Sequence, residues 1–339
     1  MSLVKKLAMS AICLLLFFLT IVVFVRFLKL SDRFDADFKF YIRKVDNDLE
    51  ADFNREDALL MWSLKPGYND GEIKINSQGL RDKEYPIKKR EGFFRILCLG
   101  DSNTFGLNMD ITKVYHALLE DRLNNDLRNQ TVRFEVINAG VTGYTSLQGL
   151  NFYKYRGREY YPDLVIFYFG ICDPIKRFYL SDKDIMSDNI PLCAKLFINN
   201  VLLKFDSYRL FRKAIMSMRG EKLNLKSVLK HRVSPDQFKE NIIYMNRICK
   251  LNNSKLLIIS APICKEIKHE RSEDIIKYRK IMEEVAFEQE IPVIEVNELT
   301  EKSELPNGNL FEDEVHPNAI GHKLLMDHLY KYITDNFNK

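Results

Sequence analysis

From Phe94 to the C-terminus, short apolar runs alternate with longer segments of helical periodicity, and this pattern limits the possible folds most tightly. The runs are "FRILCLG" (94–100), "RFEVINAG" (133–140), "PDLVIFYFG" (162–170), "SKLLIISAP" (254–262) and "IPVIEVNEL" (291–299). A strand with one wet face alternates apolar and polar residues, whereas continuous runs such as the third are apolar on both faces. The segments 114–127, 146–157, 238–252, 273–289 and 319–337 read as helices, several with a clear apolar stripe. Strands alternating with helices predict an α/β domain: a parallel sheet of five strands covered on both faces.

One connection is too long for this scheme. About 80 residues separate the third run from the fourth, where a βαβ unit needs roughly 30. The excess, about 174–235, contains "LCAKLFINNVLLKFDSYRLFRKAIMSMRG", whose apolar residues recur helically between lysines and arginines. A helical insertion packed on the body, a lid over a site and a surface for anionic headgroups are all open readings.

The N-terminal segment is of another kind. Leu7 to Val25 carries no charge, and as a helix it is about 29 Å long, the thickness of a bilayer's hydrocarbon core. Nothing resembling a small-x-small cleavage site follows it, which favours an uncleaved transmembrane anchor (1–30) over a signal peptide. Flanking Lys and Arg nearly balance and fix no orientation. In 31–57, Phe34, Phe38, Tyr41, Val45, Leu49 and Phe53 recur every three to four residues. This predicts a helical stalk or a helix packed on the body. Residues 58–93 form a lead-in to the globular domain, 94–339. The net charge of +4 and the absence of a basic run longer than Lys88 to Arg90 give no footprint for nucleic acid. Six scattered cysteines without a CxxC give no metal-binding pattern.

Ligands of an open parallel sheet gather beyond the carboxyl ends of its strands. Gly100-Asp101-Ser102 follows the first run, Asn138-Ala139-Gly140 the second and Gly170-Ile171-Cys172-Asp173 the third; Asp313 and His316 come after the fifth. A serine needs a base within hydrogen-bond reach, and the base needs an orienter. Ser102, His316 and Asp313 are the candidates for those roles, with Pro317 opening a helix just after His316. The N–H groups of Ser102 and Gly140 are candidate donors to a developing oxyanion. Arg81 could meet an anionic substrate or tie a loop to the body, and His322 points elsewhere.

In this order, "GDSNTFG" (100–106), "NAGVTGYT" (138–145), "FGICD" (169–173) and "DEVHPNAIGH" (313–322) resemble the SGNH (GDSL-type) hydrolase family. The resemblance covers Phe94 onward. The segment 64–86 looks like the lead-in of exported, membrane-anchored members. The resemblance implies a three-layer α/β/α sandwich of flavodoxin type, no metal and no cofactor. Ser102 would be the nucleophile, His316 the base and Asp313 the orienter, with Gly140 an oxyanion donor. It implies an esterase or acyl hydrolase on a glycan or lipid ester, with the domain outside the cytoplasm. An O-acyltransferase is the alternative. One position departs from the pattern: Cys172 stands where the family has an Asn donor, and a thiol is a weak donor. That departure also leaves open a module that binds acylated glycans without turning them over.

Overall fold

The computed structural model describes residues 17, 20, 51–57, 59–126, 131–178, 181–186, 229–261, 272–296 and 310–337. Apart from Phe17 and Thr20, the anchor run lies outside these residues, as do 31–50 and most of the insertion (187–228). Among the described residues, no helix is long and apolar enough to cross a membrane. The chain divides into two compact units. One comprises Met1–Asn47, Arg177–Tyr179 and Ser187–Lys230; the other comprises Asp48–Lys176, Leu180–Met186 and His231–Lys339.

The second unit contains a hairpin of Asn54–Asp57 (β1) and Met61–Leu64 (β2), then β3 (Phe93–Gly100) and a one-turn helix α1 (Ser102–Phe105). There follow α2 (Tyr115–Asp126), β4 (Arg133–Gly140), α3 (Ser146–Tyr155) and β5 (Leu164–Tyr168). The short elements β6 (Lys176–Phe178) and β7 (Leu229–His231), most of whose residues fall in the first unit, and α4 (Asp182–Met186), in the second, occupy the ends of the insertion. The chain closes with α5 (Pro235–Leu251), β8 (Lys255–Ile259), α6 (Ser272–Glu288), β9 (Val293–Ile294) and α7 (Ala319–Phe337).

The five-stranded sheet runs β4-β3-β5-β8-β9, and every pairing in it is parallel. Its strands are buried, as their unbroken apolar sequences require: Ile96, Leu97, Cys98, Ile137, Val165, Ile166 and Leu257 have no exposed surface. At the amino end, the guanidinium of Arg95 is fully buried. It donates to Glu135 and to the carbonyls of Ile87 (2.9 Å) and Tyr160 (2.7 Å), so its charge is paired and its donors are met. At the carboxyl end, Gly100 lies in register with Gly140 on one side and Tyr168 on the other. This register brings the loops after three strands to one edge.

Three local expectations are corrected. The helical periodicity of 31–57 does not extend to its end, because Asn54–Asp57 pairs antiparallel with Met61–Leu64. Asp57 turns the chain by accepting Leu59 N–H at 3.0 Å, and Met61 takes a positive φ of 66°. The ends of the 174–235 insertion are not helical throughout, since Lys176–Phe178 pairs with Leu229–His231. Pro317 does not open the last helix: it forms an isolated bridge with Phe311, and Asn318 caps the helix through Ile320 N–H (2.9 Å) and Gly321 N–H (3.1 Å).

Candidate active site

Ser102 is the first residue of α1, immediately beyond β3. Asp101 caps that turn by accepting Asn103 N–H at 3.0 Å, and Gly106 ends it in the left-handed region. A single turn has little intrinsic stability, so neighbours must hold it. Asn103 Nδ2 donates to Val315 O at 3.1 Å, linking the serine turn to the histidine loop across 212 residues. At the other end, Arg81 donates to the carbonyls of Phe105 (2.9 Å), Gly106 and Met109 (2.8 Å), with its guanidinium 4.7 Å from the Phe105 ring. Arg81 is therefore the residue that ties the loop to the body.

His316 and Asp313 occupy one loop before α7. Asp313 Oδ1 accepts the N–H groups of Val315 and His316, both at 2.9 Å, which folds the loop into a tight turn. The other oxygen, Oδ2, lies 2.6 Å from His316 Nδ1. The opposite ring nitrogen, Nε2, lies 2.8 Å from Ser102 Oγ. The three side chains form a continuous hydrogen-bonded line, with Ser102 buried and His316 and Asp313 partly exposed. Burial works to raise the pKa of Asp313. The hydrogen bonds from Val315 and His316 and the charge of His316 outweigh it and hold the carboxylate below its ordinary value. Asp313 is thus an anion at neutral pH, able to fix the imidazole tautomer that leaves Nε2 as an acceptor.

The structure does not bring Gly140 into this group as an open donor. Its N–H donates to Asn138 Oδ1 at 2.9 Å. A Cβ at Gly140 would overlap Phe105 N and lie 2.6 Å from Thr104 C. The reason is register: β4 runs to Gly140, so this glycine belongs to the sheet and lets α1 pack closely. The turn beyond it contains a second glycine, Gly143. Val141 N donates to Gly100 O (3.1 Å), and Tyr144 N donates back to Val141 O (3.2 Å). Gly143 takes φ 73° at the third position of that turn, a value that type II turns reserve for glycine. Trp62 Nε1 donates to Thr142 O (3.1 Å), and Arg232 Nη1 donates to Gly143 O (2.6 Å).

Cys172 lies buried in the turn after β5, where its carbonyl accepts Ile175 N–H at 3.3 Å. Gly170 enters that turn at φ 116°. Asp173 is structural: it accepts from Ser146 N (3.0 Å), Ser146 Oγ and Gly170 N (3.2 Å). Burial raises its pKa to about 7, opposed by the Ser146 hydrogen bonds. His322 is buried against Tyr115, ring on ring at 5.9 Å, with its pKa pushed down to about 4 by burial. Among the described residues, no cluster of His, Cys, Asp and Glu suits a metal ion.

Residues 98–324 match the sequence pattern of the GDSL-like lipase/acylhydrolase family, well over half of the chain. The chain belongs to this family. The GDSL-type domain is an esterase or acylhydrolase, and its five-stranded parallel sheet is the family's fold. Among solved structures it is similar to an acetyl xylan esterase, AlAXEase. The two share 17% identity and a TM-score of 0.47, over 71% of this chain and 100% of that one. It is also similar to a lipase/acylhydrolase from Enterococcus faecalis, at 19% identity and a TM-score of 0.46, over 71% of this chain and 96% of that one. A third likeness is to TesA, at 18% identity and a TM-score of 0.42, over 71% and 98%. These likenesses concern the fold alone. Among curated proteins, none matches the chain.

Proposed function

We propose that the chain is a membrane-anchored serine esterase acting on an acylated glycan or lipid beside the membrane, with its catalytic domain outside the cytoplasm. The observation that carries the catalytic part is the hydrogen-bonded line Ser102–His316–Asp313. The uncharged run from Leu7 to Val25 supports the anchor.

Ser102 Oγ attacks the ester carbonyl while His316 Nε2 takes its proton. Asp313 stabilises the imidazolium that forms. The carbonyl oxygen becomes an oxyanion, which accepts from Ser102 N–H and from Gly143 N–H. Gly143 replaces Gly140 in this role because the N–H of Gly140 is already bonded to Asn138. The tetrahedral species collapses, the bond to the leaving alkoxide breaks, and His316 returns the proton to that oxygen. Water then attacks the acyl-enzyme with His316 again as base, releasing the carboxylic acid and restoring Ser102. A sugar hydroxyl in place of that water would make the same site an O-acyltransferase.

Cys172 favours a second reading, in which the domain binds an acylated glycan without turnover, because a side-chain donor of the family pattern is absent there. Losing one oxyanion donor costs about 10²–10³ in rate, whereas losing the nucleophile costs ~10⁶. A tuned enzyme is therefore the stronger reading. Fluorophosphonate labelling followed by a panel of acetylated glycans, lysophospholipids and acyl thioesters tests both. Labelling that disappears in Ser102→Ala and turnover of one panel member are expected. A folded wild-type protein that does not label would reject the esterase.

A further inference from the structure

We propose that Trp62, in the lead-in hairpin and outside the region that matches the family, is a positioning residue for the oxyanion donor Gly143. The inference rests on the reading of Gly143 N–H given above. In the turn from Val141 to Tyr144, the closing hydrogen bond uses Val141 O and Tyr144 N. The central peptide, Thr142 C=O with Gly143 N–H, makes neither half of that bond, and its direction is what distinguishes a type II turn from a type I turn. The indole Nε1 of Trp62 donates to Thr142 O at 3.1 Å, from 80 residues away. A peptide is planar and trans, so holding its oxygen on one side fixes its N–H on the other. Trp62 thereby sets where the Gly143 N–H points without touching substrate.

Trp62 is itself held. It is 1% exposed, and its carbonyl accepts Tyr144 Oη at 2.6 Å. Its ring meets the Tyr144 ring edge-on at 5.7 Å, and the Arg232 guanidinium sits 5.5 Å from its centroid. Arg232 closes the clamp by donating to Gly143 O and Gln148 Oε1 (2.8 Å) and pairing with buried Asp182 at 3.0 Å. Gln148 in turn donates to Leu60 O at 2.7 Å, fixing the hairpin beside Trp62. The turn is thus held by side chains from the lead-in and from the far end of the insertion. Charge beside hydrogen-bonded peptides strengthens the bonds along the chain. An oxyanion on Gly143 N–H therefore tightens the Trp62–Thr142 bond.

Trp62→Phe keeps a ring in place and removes the indole N–H. Its test is steady-state kinetics on a small acyl ester, normalised to sites titrated by fluorophosphonate. The expected result is a fall in kcat per titrated site of about 10- to 100-fold with KM within twofold. A kcat per site equal to wild type overturns the proposal, as does a loss of activity matched by a loss of titratable sites, which is the mark of a merely structural residue. A second measurement needs no variant at position 62. Trp62 is the one tryptophan of the chain, so intrinsic emission reports its N–H bond. Phosphonylation of wild-type protein is expected to shift that emission, and the same reagent to leave Ser102→Ala unchanged. No shift on full labelling overturns the role of Trp62 alone. No labelling of wild type overturns both this role and the esterase reading.

Discussion

Replacing Gly140 by alanine separates the two roles that a glycine at this point can have. Alanine keeps the backbone N–H, so a donor role by itself survives the change. The added Cβ, however, would meet the backbone of α1: it lies 2.6 Å from Thr104 C and 2.7 Å from Thr104 Cβ and overlaps Phe105 N. Ordinary contact begins near 3.4 Å, so the serine turn must retreat by about 1 Å, and no flexible side-chain tip is there to yield. Displacement of a reacting group by about 1 Å costs about 10²-fold in rate, and overpacking of this kind costs about 1–3 kcal/mol. Gly140→Ala should therefore lower kcat on a small acyl ester about 100-fold. Its rate of fluorophosphonate labelling should fall in parallel, and its melting temperature by about 3–10 °C. Gly157→Ala is the control, because its Cβ would meet the side-chain atoms Leu97 Cδ2 at 3.0 Å and Tyr153 Cδ2 at 3.2 Å. They need give by only a few tenths of an ångström, against about 1 Å at Gly140, and the nucleophile turn is not among them. A Gly140→Ala protein with wild-type melting and kcat within twofold would refute the claim that Gly140 seats the nucleophile turn.

Two further substitutions probe the electrostatics and the departure from the family pattern. Asp101 is buried, and desolvation raises its pKa from 3.8 to about 6 despite the Asn103 N–H bond. Its folded form holds the proton more tightly than the unfolded chain does, so it favours folding least above pH 6 and the penalty vanishes below pH 3.8. Asp101→Asn should therefore gain stability over wild type as pH rises from 4 to 7, by at most about 3 kcal/mol in urea titrations; a pH-independent difference would contradict this. Cys172→Asn should raise turnover of a small acyl ester by about tenfold or more if the side chain reaches the oxyanion; unchanged or lower kcat would mean the site is built around the thiol.

The parts of the site that the sequence made legible are those whose geometry is local. Asp313 and His316 are three residues apart in one loop, so an orienter and a base could be paired from spacing alone. Ser102 follows an apolar run that could only be a buried strand. "NAGVTG" holds two glycines, and only the sheet register, Gly100 against Gly140, shows where the strand ends and the turn begins. Trp62 and Arg232 left no periodic mark. Their bonds to Thr142 and Gly143 span 80 and 89 residues, and neither residue lies in one of the four motifs that resemble the family. The fifth apolar run, 291–299, exceeds the strand seen among its described residues, where Val293 and Ile294 pair with β8 at the edge of the sheet. Apolar continuity measures burial, and burial also comes from residues outside the ladder: Val296 N–H donates to the Ser260 side chain at 2.9 Å and not to a strand carbonyl.

The lead-in therefore belongs to the catalytic domain, although the family pattern begins only at residue 98. Arg81 satisfies three carbonyls behind the serine turn, and Trp62 satisfies the carbonyl of Thr142. Tyr85 adds a bond to Val136 O at 3.2 Å on the adjacent strand. A chain begun at residue 94 loses all five bonds; Gly106 O keeps the N–H of Met109 at 3.2 Å, and the other four carbonyls are left without these partners. At about 1–3 kcal/mol for each buried acceptor left unmet, the total is comparable to the whole stability of a domain, about 5–15 kcal/mol. Such a chain should be insoluble, or soluble without cooperative melting and without fluorophosphonate labelling. A chain begun at residue 51 keeps the hairpin, Arg81 and Tyr85, and should label at the rate of the 339-residue chain. Equal labelling of the two would mean that the family region builds its own oxyanion turn, and that the hairpin only covers it.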